Sequence, residues 1–520
     1  MTLSPIDSGV FLVYVVALIA IAWWVSREKA GHQKDTKDYF LAGNSLPWWA
    51  IGSSLIAANI SAEQIIGMSG SGFAIGLAIS SYEWMAAITL IIVGKYFLPI
   101  FLKRGIYTMP QFLEQRYDHN VRTVLAIFWL GVYVFVNLTA VLWLGALAIN
   151  TIAGVDMTYG MLFLAAFAVA YSLYGGLKAV AMTDIIQIVI LVFGGLLLTY
   201  ICLGLLGKGE GIVAGFVALT EAVPEKFDMI LSEDNPHYMS LPGLSVLVGG
   251  MWIMNLSYWG FNQYIIQRTL AAKSLEEGQK GIVFAAFLKL LMPIIVVLPG
   301  IAAAVLVPDL GRSDEAYPSM MQLMPIGIKG LVFAALVAAI VSSLGSMTNS
   351  ISTIFTMDLY SYYRKDESQE HYVFVGRAVS LGSLVLAIIC AKPLLGNFDQ
   401  AFQYIQEFTG FFTPGICVLF LLGMFWKKAN AASAMVAALG SFVLSLTLKF
   451  LWPELPFMDR VGVVFVSCIV LAVITVILTG GKDQENAVDL NGIEFGTTTS
   501  YKVSAMAVSL ILVALYATWW

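Results

Sequence analysis

The sequence predicts an all-α integral membrane protein of about fourteen spanning helices, two of them broken, arranged as two five-helix units of opposite orientation. Three observations carry this. The first is composition. Of 520 residues 59% are hydrophobic and only 12% charged, with a mean hydropathy of +0.83, where a soluble domain carries about 25% charge. So little charge cannot solvate the surface of a chain this long, so lipid must cover it. The second is the recurrence of apolar runs of the length a bilayer demands, roughly 20 residues. The third is that two of those runs are interrupted by polar clusters: Asn59, Ser61, Glu63 and Gln64 in one, Asn255, Ser257 and Tyr258 in the other. Hydrocarbon offers no hydrogen bonds, so such interruptions survive only against protein or a watery cavity.

In chain order the runs lie at 10–25, 46–75, 80–101, 121–149, 158–174, 180–206, 242–265, 280–307, 327–360, 373–392, 398–426, 430–451, 461–479 and 502–519. No positive residue precedes the first run, and Arg27, Lys29, Lys34 and Lys37 follow it. That is the reverse of a signal peptide and reads as a retained helix with its N-terminus outside. Threading from there places Lys103, Arg104, Arg116, Arg122, Lys178, Arg268, Lys273, Lys280, Arg364, Lys365, Arg377, Lys427, Lys428, Lys482 and Lys502 inside as well. The outside set is smaller: Lys208, Lys226, Arg312, Lys329, Lys392, Lys449 and Arg460. This positive-inside bias requires an even helix count and puts both termini on the non-cytoplasmic side. An acidic loop, 207–241, with Glu210, Glu221, Glu225, Asp228, Glu233 and Asp234, falls outside on the same threading.

Counting from the second run, the first broken helix runs outward and the second, five helices later, runs inward. This is the arrangement of an inverted repeat, and paired broken helices mark a transporter's binding site. The expected organisation is a peripheral first helix with its cytoplasmic linker (1–45), a first five-helix repeat (46–206), the acidic loop (207–241), a second repeat (242–426) and peripheral C-terminal helices (427–520).

Other function classes have little to stand on. There is no basic patch for nucleic acid. The cysteines, Cys202, Cys390, Cys417 and Cys468, lack paired or metal-ligand spacing. All four histidines lie outside the apolar runs, which leaves no buried base, and no nucleophile motif is present, so the chain does not read as an enzyme. A sensor would append a soluble signalling domain; a channel would need no intramembrane ion pair.

Four ionisable residues sit away from the membrane edges: Glu63, Glu83, Asp184 and Lys289. Each costs roughly 2.5–3.5 kcal/mol at the bilayer centre, so each needs a partner or a hydrated cavity. Glu63 fits an interhelical network as well as it fits a site. Glu83 and Lys289 are opposite in sign, and a cavity holding both is nearly neutral. That suits an uncharged polar ligand, whereas an anion calls for Arg, and no run carries one at its centre. Ser342 and Ser343 fit close helix packing. They fit equally the ligation of a hard cation, if carbonyls freed around Ala57–Ile60 face them.

At these residues the chain resembles the sodium:solute symporter family, in particular its sugar-carrying members, almost end to end. The segments Ala58–Gln64, Ser81–Met85, Trp259–Lys273, Ala338–Ser343 and Gln400–Glu407 carry the resemblance. It implies a LeuT-type fold in a bacterial inner membrane, importing a neutral monosaccharide of the galactose/glucose class with sodium by alternating access. Another organic solute, such as a sialic acid, an amino acid or a vitamin, is the alternative. Position by position, it places sugar contacts on Gln64, Glu83, Asn255, Lys289 and Gln406, with Tyr258 stacked on the inner side. Met68, Tyr82 and Phe402 would close the outer side. Sodium would meet the carbonyls of Ala57, Ile60 and Ala339 and the hydroxyls of Ser342 and Ser343, with Asp184 on its exit route. One position departs: galactose-carrying members have a sugar-contacting Ser where this chain has Ala86.

Overall fold

The structure, a computed structural model, describes residues 3–26, 45–106, 108–174 and 177–520. The predicted cytoplasmic linker with Arg27, Lys29, Lys34 and Lys37 lies outside the described residues. Regular structure among the described residues is helical, apart from one isolated bridge between Leu46 and Ala272.

Nine helices among the described residues are long and apolar enough to cross a membrane unaided. A tenth span is made by Ala401–Thr409 and Thr413–Phe425, bent by 48°. The sequence reads that segment, 398–426, as one run, because composition does not register a bend. The larger sequence count also includes the short apolar helices Pro5–Ile21 and Met157–Ala170, and the two broken segments. The acidic loop is not wholly irregular, since Ile212–Ala222 is helical within it.

The first broken helix runs Trp48–Asn59, stops, and resumes as a π-helical turn, Glu63–Gly67, leading into Met68–Ala74. Ile60 leaves the helix at ψ 82. The Ser61 amide bonds the Asn59 carbonyl at 2.8 Å, and the amides of Gln64 and Ile65 both reach the Ser61 carbonyl, at 3.1 and 3.0 Å. In a continuous helix the amides of Ser61 and Gln64 would close on the carbonyls of Ala57 and Ile60. Diverted, they leave those two carbonyls outside the helical ladder. Ser61 helps to pay for the break, its hydroxyl accepting the Glu63 amide at 3.3 Å.

The second broken helix repeats the device. Gly250–Leu256 passes into a π-helical turn, Ser257–Phe261; Asn262 is extended, and Gln263–Leu270 resumes. The Tyr133 hydroxyl donates to Asn262 Oδ1 at 2.8 Å and holds the break open. Single π-turns inside helices gather at functional sites. The two broken helices are tied at one end: Leu46 donates its amide to Ala271 and accepts one from Lys273, at 3.3 and 3.2 Å.

Small residues set the closest approach of the core helices. A Cβ on Gly52 would lie 2.6 Å from the Phe284 ring, and one on Gly281 2.8 Å from Ile51. Without side chains there, Trp48–Asn59 packs directly on Leu275–Ile295. The centre and the rim of the bundle separate by burial. The best spanning window of Ile328–Tyr363 is 89% buried, whereas those of Ala431–Leu451, Phe457–Leu478 and Thr499–Thr518 are 33, 28 and 17% buried. The last three present Val443, Ile477, Val503 and Val513 outward, an apolar surface fit for lipid. The chain is a multi-pass membrane protein.

Candidate substrate cavity and cation site

A cavity opens where the two broken helices face the Ser81–Ile92 and Leu275–Ile295 helices. Its wall holds all five residues expected to contact substrate, Gln64, Glu83, Asn255, Lys289 and Gln406, together with Tyr82, Tyr258 and Phe402.

Its charged centre is one network. Lys289, fully buried, donates to Glu83 at 2.6 Å and also to the Asn59 side-chain oxygen. Gln64 donates from its amide to the other Glu83 oxygen. The ammonium lies 4.9 Å from the centre of the Trp259 ring, whose π face attracts it. Asn59 then donates to the Tyr258 hydroxyl at 3.0 Å, and Tyr264 donates to the same oxygen at 3.1 Å. Tyr258 is thereby fixed between the halves of both broken helices. On another side of the cavity the Tyr82 and Phe402 rings meet edge to face at 5.0 Å, a favoured aromatic geometry.

Two residues fall elsewhere. Met68 is buried but not part of the wall; its sulfur sits 3.6 Å behind the Gln64 amide. Ala86, one turn beyond Glu83, is 1% exposed and also lies outside the wall. The wall further contains Asn59, Glu63, Met254 and Trp259, which the sequence reading did not place among the ligands. Asn59 and Glu63 belong to the polar cluster that marks the first break, and Trp259 follows Tyr258, so a signal was present for these three. Met254 is one apolar residue among many and had none. With Glu63 the cavity holds two carboxyl groups and one ammonium.

Below the first break, the Ser342 hydroxyl donates to Asp184 at 2.8 Å, and Ser54 donates to the other Asp184 oxygen at 3.0 Å. Asp184 therefore touches Ser342, one of the two serines, directly. The Ser343 hydroxyl is buried and has no hydrogen-bond partner. The Ile328–Thr353 helix that carries Ala339, Ser342 and Ser343 packs on Trp48–Asn59, whose end leaves the Ala57 and Ile60 carbonyls free of the ladder. A partnerless hydroxyl, diverted carbonyls and a carboxylate carried on packed helices are hard oxygens, the kind of ligand a small cation takes.

The far end of the first broken helix is clamped. Lys226 donates to the carbonyls of Phe73 and Ala74 at 2.7 and 3.0 Å, capping the C-terminal end of its second half. Burial pushes the Lys226 ammonium below its usual range. Asp314 accepts the Ala401 amide at 2.8 Å, at the start of the helix that bears Phe402 and Gln406. Burial pushes the Asp314 carboxyl well above the usual carboxylate range, and the nearby Asp399 adds to it.

Comparison with known proteins agrees with this geometry. The sodium:solute symporter family matches residues 39–440. The sodium/glucose cotransporter of Vibrio parahaemolyticus is 52% identical over 100% of this chain and 99% of its own length. The sodium/myo-inositol cotransporter 2 of Sus scrofa is 34% identical over 87% of this chain and 71% of its own. Among solved structures, a Na+-coupled sialic acid symporter in a substrate-bound outward-open state superposes with a TM-score of 0.79. It is 24% identical and covers 92% of this chain and 100% of that one.

Proposed function

Because the chain belongs to the sodium:solute symporter family, a family of transporters and not of enzymes, we propose that it imports a neutral monosaccharide of the galactose/glucose class with sodium. The single observation that carries this is the cavity wall. A sugar presents many hydroxyls and no charge, and the wall offers amides that both donate and accept (Gln64, Asn255, Gln406), an acceptor in Glu83 and a donor in Lys289. The aromatic ring of Tyr258 suits the C–H face of a pyranose. The names of the sugar- and inositol-carrying relatives support the same class.

In this reading Gln64, Glu83, Asn255, Lys289 and Gln406 bind the sugar, Tyr258 gates the inner side, and Met68, Tyr82 and Phe402 gate the outer side. Sodium binds between the carbonyls of Ala57, Ile60 and Ala339 and the hydroxyls of Ser342 and Ser343, with Asp184 on its exit route. Residues 46–206 and 242–426 form the two inverted repeats, the membrane is a bacterial inner membrane, and both termini face away from the cytoplasm.

Sodium need not touch the sugar. Held at the end of Trp48–Asn59, it fixes the segment that presents Asn59 and Gln64 to the cavity. Sodium and sugar then favour the same conformers, and that shared preference is the coupling. One sodium crossing about 100 mV gains roughly 2.3 kcal/mol, and a tenfold gradient adds about 1.4 kcal/mol. Together these sustain a sugar gradient of about several hundredfold at one-to-one coupling.

Uptake of radiolabelled sugars into proteoliposomes, with sodium or potassium outside, tests the proposal. Sodium-dependent accumulation of glucose or galactose supports it; uptake that ignores the cation, or none for any neutral sugar, refutes it.

A further inference from the structure

Glu63 has no part in the network that holds Glu83 and Lys289. It is more than nine-tenths buried, it lines the cavity, and among the described residues no hydrogen bond or ion pair reaches its carboxylate. The ammonium that could neutralise it is already engaged by Glu83 and Asn59. No other Lys, Arg or His lines the wall. Two carboxyl groups share one ammonium, and the one left without a counter-ion, Glu63, lines the space a ligand would occupy.

Resting on the reading of this cavity as a monosaccharide site, we propose that Glu63 is its charge-selectivity residue, admitting aminosugars that carry an ammonium and rejecting sugar acids. An ammonium placed near Glu63 restores neutrality, whereas a carboxylate there adds a second like charge in a site of low dielectric. A neutral sugar can still donate a hydroxyl to Glu63, so it remains a substrate of intermediate standing.

The test compares glucose, glucosamine and glucuronate at neutral pH and fixed sodium, as competitors of labelled glucose uptake in proteoliposomes. In the parent, glucosamine should compete at least as well as glucose, and glucuronate should not compete. In Glu63→Gln the affinity of glucosamine relative to glucose should fall about tenfold or more, and glucuronate should begin to compete. Glu63→Asp, which keeps the carboxyl, should retain the parent order, and a monodisperse elution profile in detergent reports that each variant is folded. Equal rankings in parent and a folded Glu63→Gln overturn this inference alone, as a Glu63 that keeps its proton at neutral pH would. If the parent carries no sugar, the reading of the cavity fails and this inference fails with it.

Discussion

Lys289 and Glu83 meet at 2.6 Å with both side chains buried, bridging the Leu275–Ile295 and Ser81–Ile92 helices. Removing water from two charges is costly, and only good geometry with further hydrogen bonds offsets it. Asn59 and Gln64 supply those bonds, one to each partner. Both come from the first broken helix, so the pair senses whether that helix is in place.

Glu83→Gln should therefore weaken sugar binding by roughly 1.5–3 kcal/mol, the range for a hydrogen bond to a charged group, while membrane insertion is unchanged. Calorimetric titration of purified protein reads this directly. Binding equal to the parent would remove Glu83 from the ligand set.

Ser343→Ala should raise the sodium concentration for half-maximal transport several-fold. Ser343 is the informative serine because its hydroxyl has no partner, whereas Ser342 is already bonded to Asp184. A sodium titration that does not move, with only a lower protein yield, would assign Ser343 to helix packing.

Ala86→Ser should leave the ranking of glucose and galactose as it is in the parent. The resemblance places a sugar contact there, but Ala86 is buried outside the cavity wall. Competition by unlabelled sugars at fixed sodium checks it. A reordered ranking would put Ala86 in the wall after all.

Asp314→Asn should stabilise the protein at neutral pH and flatten its pH dependence. Burial makes the folded chain hold the Asp314 proton to higher pH than the unfolded chain does. Its contribution is most favourable below the usual carboxylate value, near about pH 4, and is lost as pH rises through the raised folded value. The Asn variant keeps an oxygen for the Ala401 amide and carries no charge to lose. Melting curves in detergent at a series of pH values should converge at the acid end and separate towards neutrality. Parallel curves would refute the assignment.

The cavity was legible in the sequence to the extent that its residues are of types lipid does not tolerate. Gln64, Glu83, Asn255, Lys289 and Gln406 are conspicuous in apolar runs, and all five line one wall. Met68 and Ala86, which only the resemblance set beside the sugar, are apolar residues among many and lie outside the wall. Met68 instead places its sulfur against the Gln64 amide.

The sequence by itself determined the solvent, the helices and the breaks. Apolar length and the near-absence of charge leave a bilayer as the only surroundings, and polar clusters in a spanning run have to interrupt it. The tertiary structure alone decided which polar groups share a partner. Asp184 lies 158 positions from Ser342, and Glu83 lies 206 from Lys289. No periodicity along the chain links residues so far apart. They meet where Leu177–Leu206 packs on Ile328–Thr353 and where Ser81–Ile92 packs on Leu275–Ile295. That packing leaves Glu63 on the cavity wall with the ammonium already engaged by Glu83 and Asn59, which composition does not contain.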